Sequence, residues 1–433
     1  MFNNKKPLFS RPALAALMVL STLVIWVLNL TAPTNPFPTM NVTTWNTTSG
    51  IPVIWLSQES WQNTNKLELR FSFNNNSQDT ALTKATLALL MSDSLPLSTS
   101  TINQRLAPLS AKVSSYYDLE SQTIGLTLNS EPNYLSPTLD ILKQWLPSPI
   151  FKPRTFDRWS RQEKISTTQL GPAKTLFPYT QSKKDTSTAT ITLDAVNQYY
   201  ASLQQNTAAI FIIGNMTEPT KTAIKTTLDT LSKHFLLTTN HSETAPDRQI
   251  NNTARPSLNT SLIKPQTIAL TPLSSVKEWI SLQIWATDLV NTLNNQTSIN
   301  DTKLNLTLSA KHPWAQWKIQ YADQQQSVNK NTHSMADITI KNFIDQSKIP
   351  SVNDKKRFTL LLANVKKQLK QNALNPSWWS KLAATSTQEG SRLTLEQFAK
   401  HYQDAINTFN QDEYKAALKT LFITSSYQEI QAN

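Results

Sequence analysis

Apolar residues alternate at Leu67, Leu69, Phe71 and Phe73, which predicts a half-buried strand. The period then changes. Across Ala81–Ser94, Leu82, Ala85, Leu89 and Leu90, with Leu87 close by, make one broad apolar face and predict a helix. Ile102, Leu106 and Leu109 predict a further helical segment, and Lys112–Tyr117 and Thr123–Leu128 read as strands. Ser136-Pro137 offers a cap and a first-turn proline for a helix carrying Leu139, Leu142 and Leu146, which Pro147 and Pro149 end. A second helix, about Pro153–Leu170, places Phe156, Trp159, Glu163 and Leu170 on one face. The polar segment Pro172–Thr190 comes next. It precedes a capped helix from Thr192 to Leu203, a buried strand Ala208–Gly214 and a helix Thr217–Phe235.

Leu237–Ser261 is polar, carries Pro246 and Pro256, and reads as a linker. Beyond it the pattern predicts a strand Thr267–Leu270 and an alternating strand through Ile280, Leu282 and Ile284. Strands Lys303–Leu308 and Trp314–Tyr321 follow, then helices Ser334–Gln346 and Asp354–Gln371. The chain closes with a helix from Thr394 to Tyr402 and a strand Leu418–Thr424. The two closing units match. Thr192-Leu193-Asp194 with Tyr200 recurs as Thr394-Leu395-Glu396 with Tyr402, and Ile210-Phe211-Ile212 as Leu421-Phe422-Ile423. An internal duplication of about 200 residues is the simplest account.

The N-terminus has its own pattern. Lys5, Lys6 and Arg11 precede Pro12–Leu30, which only Ser21, Thr22 and Asn29 interrupt. Roughly 20 apolar residues span a bilayer as a helix, and the basic flank predicts a cytoplasmic N-terminus with the rest exported. A cleavable signal peptide is the competing reading. Leu30 before a site at Ala32, and Pro33 after it, disfavour cleavage. An uncleaved anchor, residues 12–31 behind a basic flank 1–11, is the expectation, with residues 32–49 as a Pro- and Asn/Thr-rich linker.

The strand, the Ala81 helix, the helical segment and the two strands, in that order, resemble the pitrilysin/insulinase-type metallopeptidases, an inverzincin family. Gly50-Ile-Pro-Val-Ile-Trp-Leu is similar to the entry strand of that family, and Leu146-Pro147-Ser148-Pro149-Ile150-Phe151 to its "leucine, short turn, proline-x-phenylalanine" exit. Active members carry H-x-x-E-H on this helix, two zinc ligands and a general base. Laid on that motif without gaps, the chain has Lys84, Leu87 and Ala88 in those places. A distal glutamate completes the family's site, and the spacing puts Glu163 where a relic of it belongs; a surface carboxylate is the plain alternative. The resemblance implies an α+β fold of two similar repeats, each a mainly antiparallel sheet with helices on one face, behind one transmembrane helix. The boundaries read as 50–236 for the first metallopeptidase-like domain, 237–261 for a linker and 262–433 for the second.

Composition narrows the chemistry. There is no Cys, which removes disulfides and thiolate metal sites. His234, His241, His312, His333 and His401 lie far apart, and none pairs with another at ligand spacing. Five Gly leave no phosphate loop, and no G-x-S-x-G elbow occurs. The net charge of +12 is scattered, with short clusters at Lys183-Lys184 and Lys355-Lys356-Arg357; no basic stripe with interleaved aromatics suggests nucleic acid. Asp118/Glu120 and Asp412/Glu413 read as solvated loop carboxylates, and Lys84 as an exposed lysine. The family's second repeat supplies an Arg and a Tyr from a glycine-rich passage. Here Asp288–Leu304 has neither Gly nor Arg, and Tyr321 ends a nearby strand with no spacing that assigns it to the family Tyr.

The leading expectation is a pseudoenzyme: no catalytic residues, no metal and no cofactor. It would be anchored in the inner membrane with its bulk on the periplasmic side. The resemblance implies an active metallopeptidase homologue as partner, or peptides held in a retained cleft. The alternatives are a scaffold within an envelope assembly and a zinc-dependent peptidase with a rearranged site.

Overall fold

A computed structural model of the chain describes residues 37–74, 80–96, 98–118, 120–169, 178–179, 191–237, 249–250, 263–321, 354–387 and 390–429. The chain divides into Met1–Phe37 and Pro38–Asn433, and the elements below belong to the second unit. In order they are β1 (Asn41–Asn46), β2 (Pro52–Ser57), β3 (Lys66–Asn74), α1 (Thr80–Leu90), α2 (Ile102–Leu106), β4 (Lys112–Tyr117), β5 (Ser121–Asn129), α3 (Pro132–Trp145), α4 (Pro153–Gln169), α5 (Leu193–Gln204), β6 (Thr207–Ile213) and α6 (Glu218–Leu231). The second half contributes β7 (Ile263–Leu270), α7 (Val276–Asn294), β8 (Ile299–Thr307), β9 (Trp314–Tyr321), α8 (Lys355–Ala373), α9 (Pro376–Thr385), α10 (Leu395–Thr408), α11 (Gln411–Leu421) and β10 (Phe422–Glu429). The fold is mixed α+β, with eleven helices and two sheets among the described residues.

The first sheet has six strands in the order β1-β2-β6-β3-β5-β4, and the second has four in the order β10-β7-β9-β8. Among the described strands β2 and β6 pair in parallel, and the other strand pairs are antiparallel. The four-strand segment β6-β3-β5-β4 therefore recurs in the same order and sense as β10-β7-β9-β8. The alternation seen in sequence is used directly: Leu67, Leu69, Phe71 and Phe73 of β3 enter one core with Leu87, Leu89 and Leu90 of α1 and Leu139 and Leu142 of α3. β6 ends at Gly214, where φ is +133° and a Cβ would stand 2.7 Å from the Lys66 carbonyl oxygen. Only glycine fits that approach.

The other face of β3 is not solvent-exposed. Glu68 is 3 % exposed. It lies 3.3 Å from Lys66 Nζ and accepts hydrogen bonds from Thr127 Oγ1 at 3.1 Å and from Ser377 Oγ of α9. Arg70 Nε donates to Ser380 Oγ of α9 at 2.6 Å. A helix of the second half thus covers the polar face of the first sheet, and the expectation of helices on one face only is corrected here. The reason is that β3 carries Glu68 and Arg70 opposite its apolar face, and α9 meets them with Ser377 and Ser380.

Other expectations change as well. Ile280, Leu282 and Ile284 lie on α7, not on a strand; Trp279, Ile280, Ser281, Leu282, Ile284 and Trp285 are all buried, so alternation carries no face. The helix read from Ser136 begins at Pro132, with Pro137 inside it. Leu418–Thr424 is split between α11 and β10. Residues 41–46, read as linker, form β1, whose Val42, Thr43, Thr44 and Trp45 suit a strand and pair with β2. The predicted anchor 12–31 and helix Ser334–Gln346 lie outside the described residues. Among the described residues no helix is long and apolar enough to cross a membrane.

Candidate functional site

α1 turns Leu87 inward, where it is 2 % exposed in the core, and leaves Lys84 at the surface. Ala88 is half-buried, and its carbonyl accepts from Ser92 Oγ at 3.0 Å. α4 packs against α1, and side chains at its start fix the register. Thr155 Oγ1 donates to Asp93 Oδ1 at 2.5 Å. Lys152 Nζ stands 3.7 Å from Asp93 Oδ2, and Trp145 Nε1 donates to Ser94 Oγ at 2.7 Å. From that clamp Glu163 lies eight residues along α4 from Thr155, about 12 Å. That distance brings Glu163 to Lys84: Nζ donates to Oε1 at 2.6 Å, with the side chains 45 % and 31 % exposed. Lys84 is exposed, as read from the sequence, and is also ion-paired across two helices.

The surroundings are polar and aromatic. Tyr117 closes β4 beside this pair. Burial holds its hydroxyl above the usual phenol range, the Lys84 charge opposes that and Glu163 reinforces it, so Tyr117 stays neutral near pH 7. Thr83 Oγ1 and Tyr199 Oη are 2.8 Å apart, and Gln122 Nε2 donates to the same Tyr199 oxygen. β4 is the outermost strand of the sheet. Ser114 and Ser115 are exposed on it, and the strand touches α1.

A zinc ion does not suit this donor set. Lys84 is a donor with a positive charge, Leu87 and Ala88 offer no lone pair, and Glu163 is held by Lys84. Among the described residues no three His, Cys, Asp or Glu gather as metal ligands.

The remaining candidates fall elsewhere. Asp118 is buried and accepts from the backbone amides of Glu120 and Ser121, each at 2.8 Å. Glu120 accepts from the Lys311 amide at 2.6 Å and pairs with His312 Nδ1. Tyr179 Oη donates to the Pro313 carbonyl at 2.7 Å. These carboxylates tie the β4–β5 turn to the loop before β9 and are not solvated, which corrects the loop reading. Glu413 completes a capping box with Asn410 and pairs with Lys277 at 2.5 Å. Asp288 is 4 % exposed and ion-paired with Arg357 of α8, an arginine from outside the Asp288–Leu304 passage. Tyr321 ends β9 and is pushed up to about 12, first by burial and then by Glu429. A cleft of about 450 Å³ runs past Thr44, Trp45, Ile54, Phe211 and Leu395. Its neighbours Ile210 and Ile212 face the core that holds Leu87, so this cleft opens on the opposite face of the sheet from α1.

No protein-family model matches the chain, and no curated sequence does. Solved structures do match. A protease from Helicobacter pylori superposes with a TM-score of 0.65 at 10 % identity, over 91 % of this chain and 99 % of that one. The inactive domain of a peptidase M16 from Pseudomonas fluorescens gives 0.60 at 15 % identity, over 90 % and 97 %. The periplasmic protease PqqL from Escherichia coli gives 0.63 at 12 % identity, over 93 % of this chain and 47 % of PqqL. The chain thus has the pitrilysin-like fold of M16 peptidase-like proteins.

Proposed function

We propose that this chain is a membrane-anchored, non-catalytic pitrilysin/insulinase-like protein of the cell envelope, with its folded part on the periplasmic side. It serves as the partner subunit of an active peptidase of the same fold or as a peptide-binding protein. The observation that carries this reading is the Lys84–Glu163 ion pair. It removes the one carboxylate positioned for a metal and leaves the helix scaffold around it intact. The outer edge of β4 runs beside that pair, with exposed Ser114 and Ser115. An extended peptide adds to such an edge through main-chain hydrogen bonds. The fold's likeness to the inactive M16 domain supports the reading.

Affinity purification of the full-length protein from its membrane fraction tests it. An intact pitrilysin-like peptidase, or a set of bound peptides, should elute with it at a fixed ratio. Elution with neither, under conditions that keep the protein folded, sinks the proposal.

A further inference from the structure

α8 carries Lys355, Lys356, Arg357, Lys366, Lys367 and Lys370 and no acidic residue. From Lys355 to Ser386 there is no Asp or Glu, while Lys and Arg recur through Lys381. α8 buries Phe358, Leu361, Val365, Leu369 and Ala373 against the body. At 3.6 residues per turn, Lys356, Leu360, Ala363, Lys367 and Leu374 share the opposite side, within a stripe roughly 60° wide. Leu360 is 67 % exposed, and Leu374, at the end of the same stripe, is 48 % exposed. No other large hydrophobic among the described residues is as open as Leu360. Leu360 stands outward between Lys356 and Lys367, and Leu374 follows at the helix end.

The chain's entry point adds to this. Pro38 is where the folded unit begins, and its carbonyl accepts hydrogen bonds from Tyr402 Oη and, at 2.9 Å, from Gln403 Nε2 of α10. Tyr402 stacks edge-on to Trp379 of α9 at 5.4 Å, and Trp379 Nε1 donates to the carbonyl of Ala373, the last residue of α8, at 3.0 Å. The entry point and the cationic helix therefore belong to one side-chain network.

We infer that α8 lies on an anionic lipid surface, with Lys356 and Lys367 at the headgroups and Leu360 and Leu374 dipping toward the acyl boundary. Cationic faces with outward apolar residues bind in this way, and their affinity depends on anionic lipid and falls with salt. This inference rests on the proposed anchor, which brings the helix to the membrane.

The chain has no Cys, so Leu360→Cys in the full-length protein takes a single environment-sensitive fluorophore. Reconstituted in nanodiscs with about one third phosphatidylglycerol, the label at 360 should emit at shorter wavelength and lose acrylamide quenching several-fold relative to pure phosphatidylcholine discs. Raising NaCl to about 0.5 M should reverse the change, and Lys356→Glu with Lys367→Glu should abolish it while leaving the circular dichroism unaltered. A label at Ile150→Cys, also exposed, should not respond to lipid. Equal quenching at 360 in both lipids overturns the inference, as does a response at 360 to acidic protein or nucleic acid in place of lipid. The mass of the mature chain separates this from failure of the anchor. If the chain begins near Pro33, the labelled protein is added to vesicles of the same two compositions, and the same contrast at 360 decides.

Discussion

Each half of the molecule follows the first strand of its shared four-strand segment with a helix, and ties that helix to a later one by an ion pair. In the first half α1 reaches α4 through Lys84 and Glu163 at the surface. In the second half α7 reaches α8 through Asp288, 5 % exposed at the side chain, and Arg357. The strand order is the same, yet the two pairs do different work. The exposed pair is screened by water and adds at most about 1 kcal/mol. The buried carboxylate depends on its partner, because leaving it alone in the interior costs about 3 kcal/mol or more. The comparison separates an ion pair the fold requires from a surface pair it can do without.

The largest expected effect is therefore in the second half. Arg357→Met should lower stability by about 3 kcal/mol at pH 7. Burial already holds the Asp288 carboxyl above its ordinary range, with Arg357 opposing. A raised carboxyl binds more protons folded than unfolded, so its contribution worsens as pH rises through and above the ordinary carboxylate range. The loss should accordingly shrink toward pH 4, as read by denaturant melts at both pH values. An equal loss at both would show that Arg357 acts through packing alone.

Gly214 ends β6, whereas β10 has no glycine and instead shifts register between Ile423 and Gln428. Gly214→Ala should cost about 2 kcal/mol, from the left-handed φ and the Lys66 carbonyl in its way. A thermal melt unchanged by it would remove the close approach from the account. Ser380→Ala takes away the acceptor of Arg70 Nε under α9 and should cost about 1 kcal/mol; no change would mean that water replaces the hydroxyl. Lys84→Ala should be the smallest, below about 1 kcal/mol. A loss above about 2 kcal/mol would make the surface pair a structural requirement and weaken its reading as a relic.

The strands of the first half were legible because β3 alternates cleanly and its apolar face meets one core. α7 was not, since residues buried on every side erase the phase that tells helix from strand. Lys84, Leu87 and Ala88 could be found from the family motif, but their chemistry could not. The partners Lys84 and Glu163 are 79 residues apart, and the register between their helices is set by Asp93, Lys152 and Thr155, which carry no motif. The same limit hid the Glu120–His312 pair, whose partners are 192 residues apart.

The most direct test of the central claim is the metal content of the purified full-length protein after dialysis, measured alongside peptide cleavage with and without chelator. The account expects zinc far below one equivalent and no chelator-sensitive cleavage, with Glu163→Gln changing neither. Zinc near one equivalent that Glu163→Gln removes, together with chelator-sensitive cleavage, would contradict it.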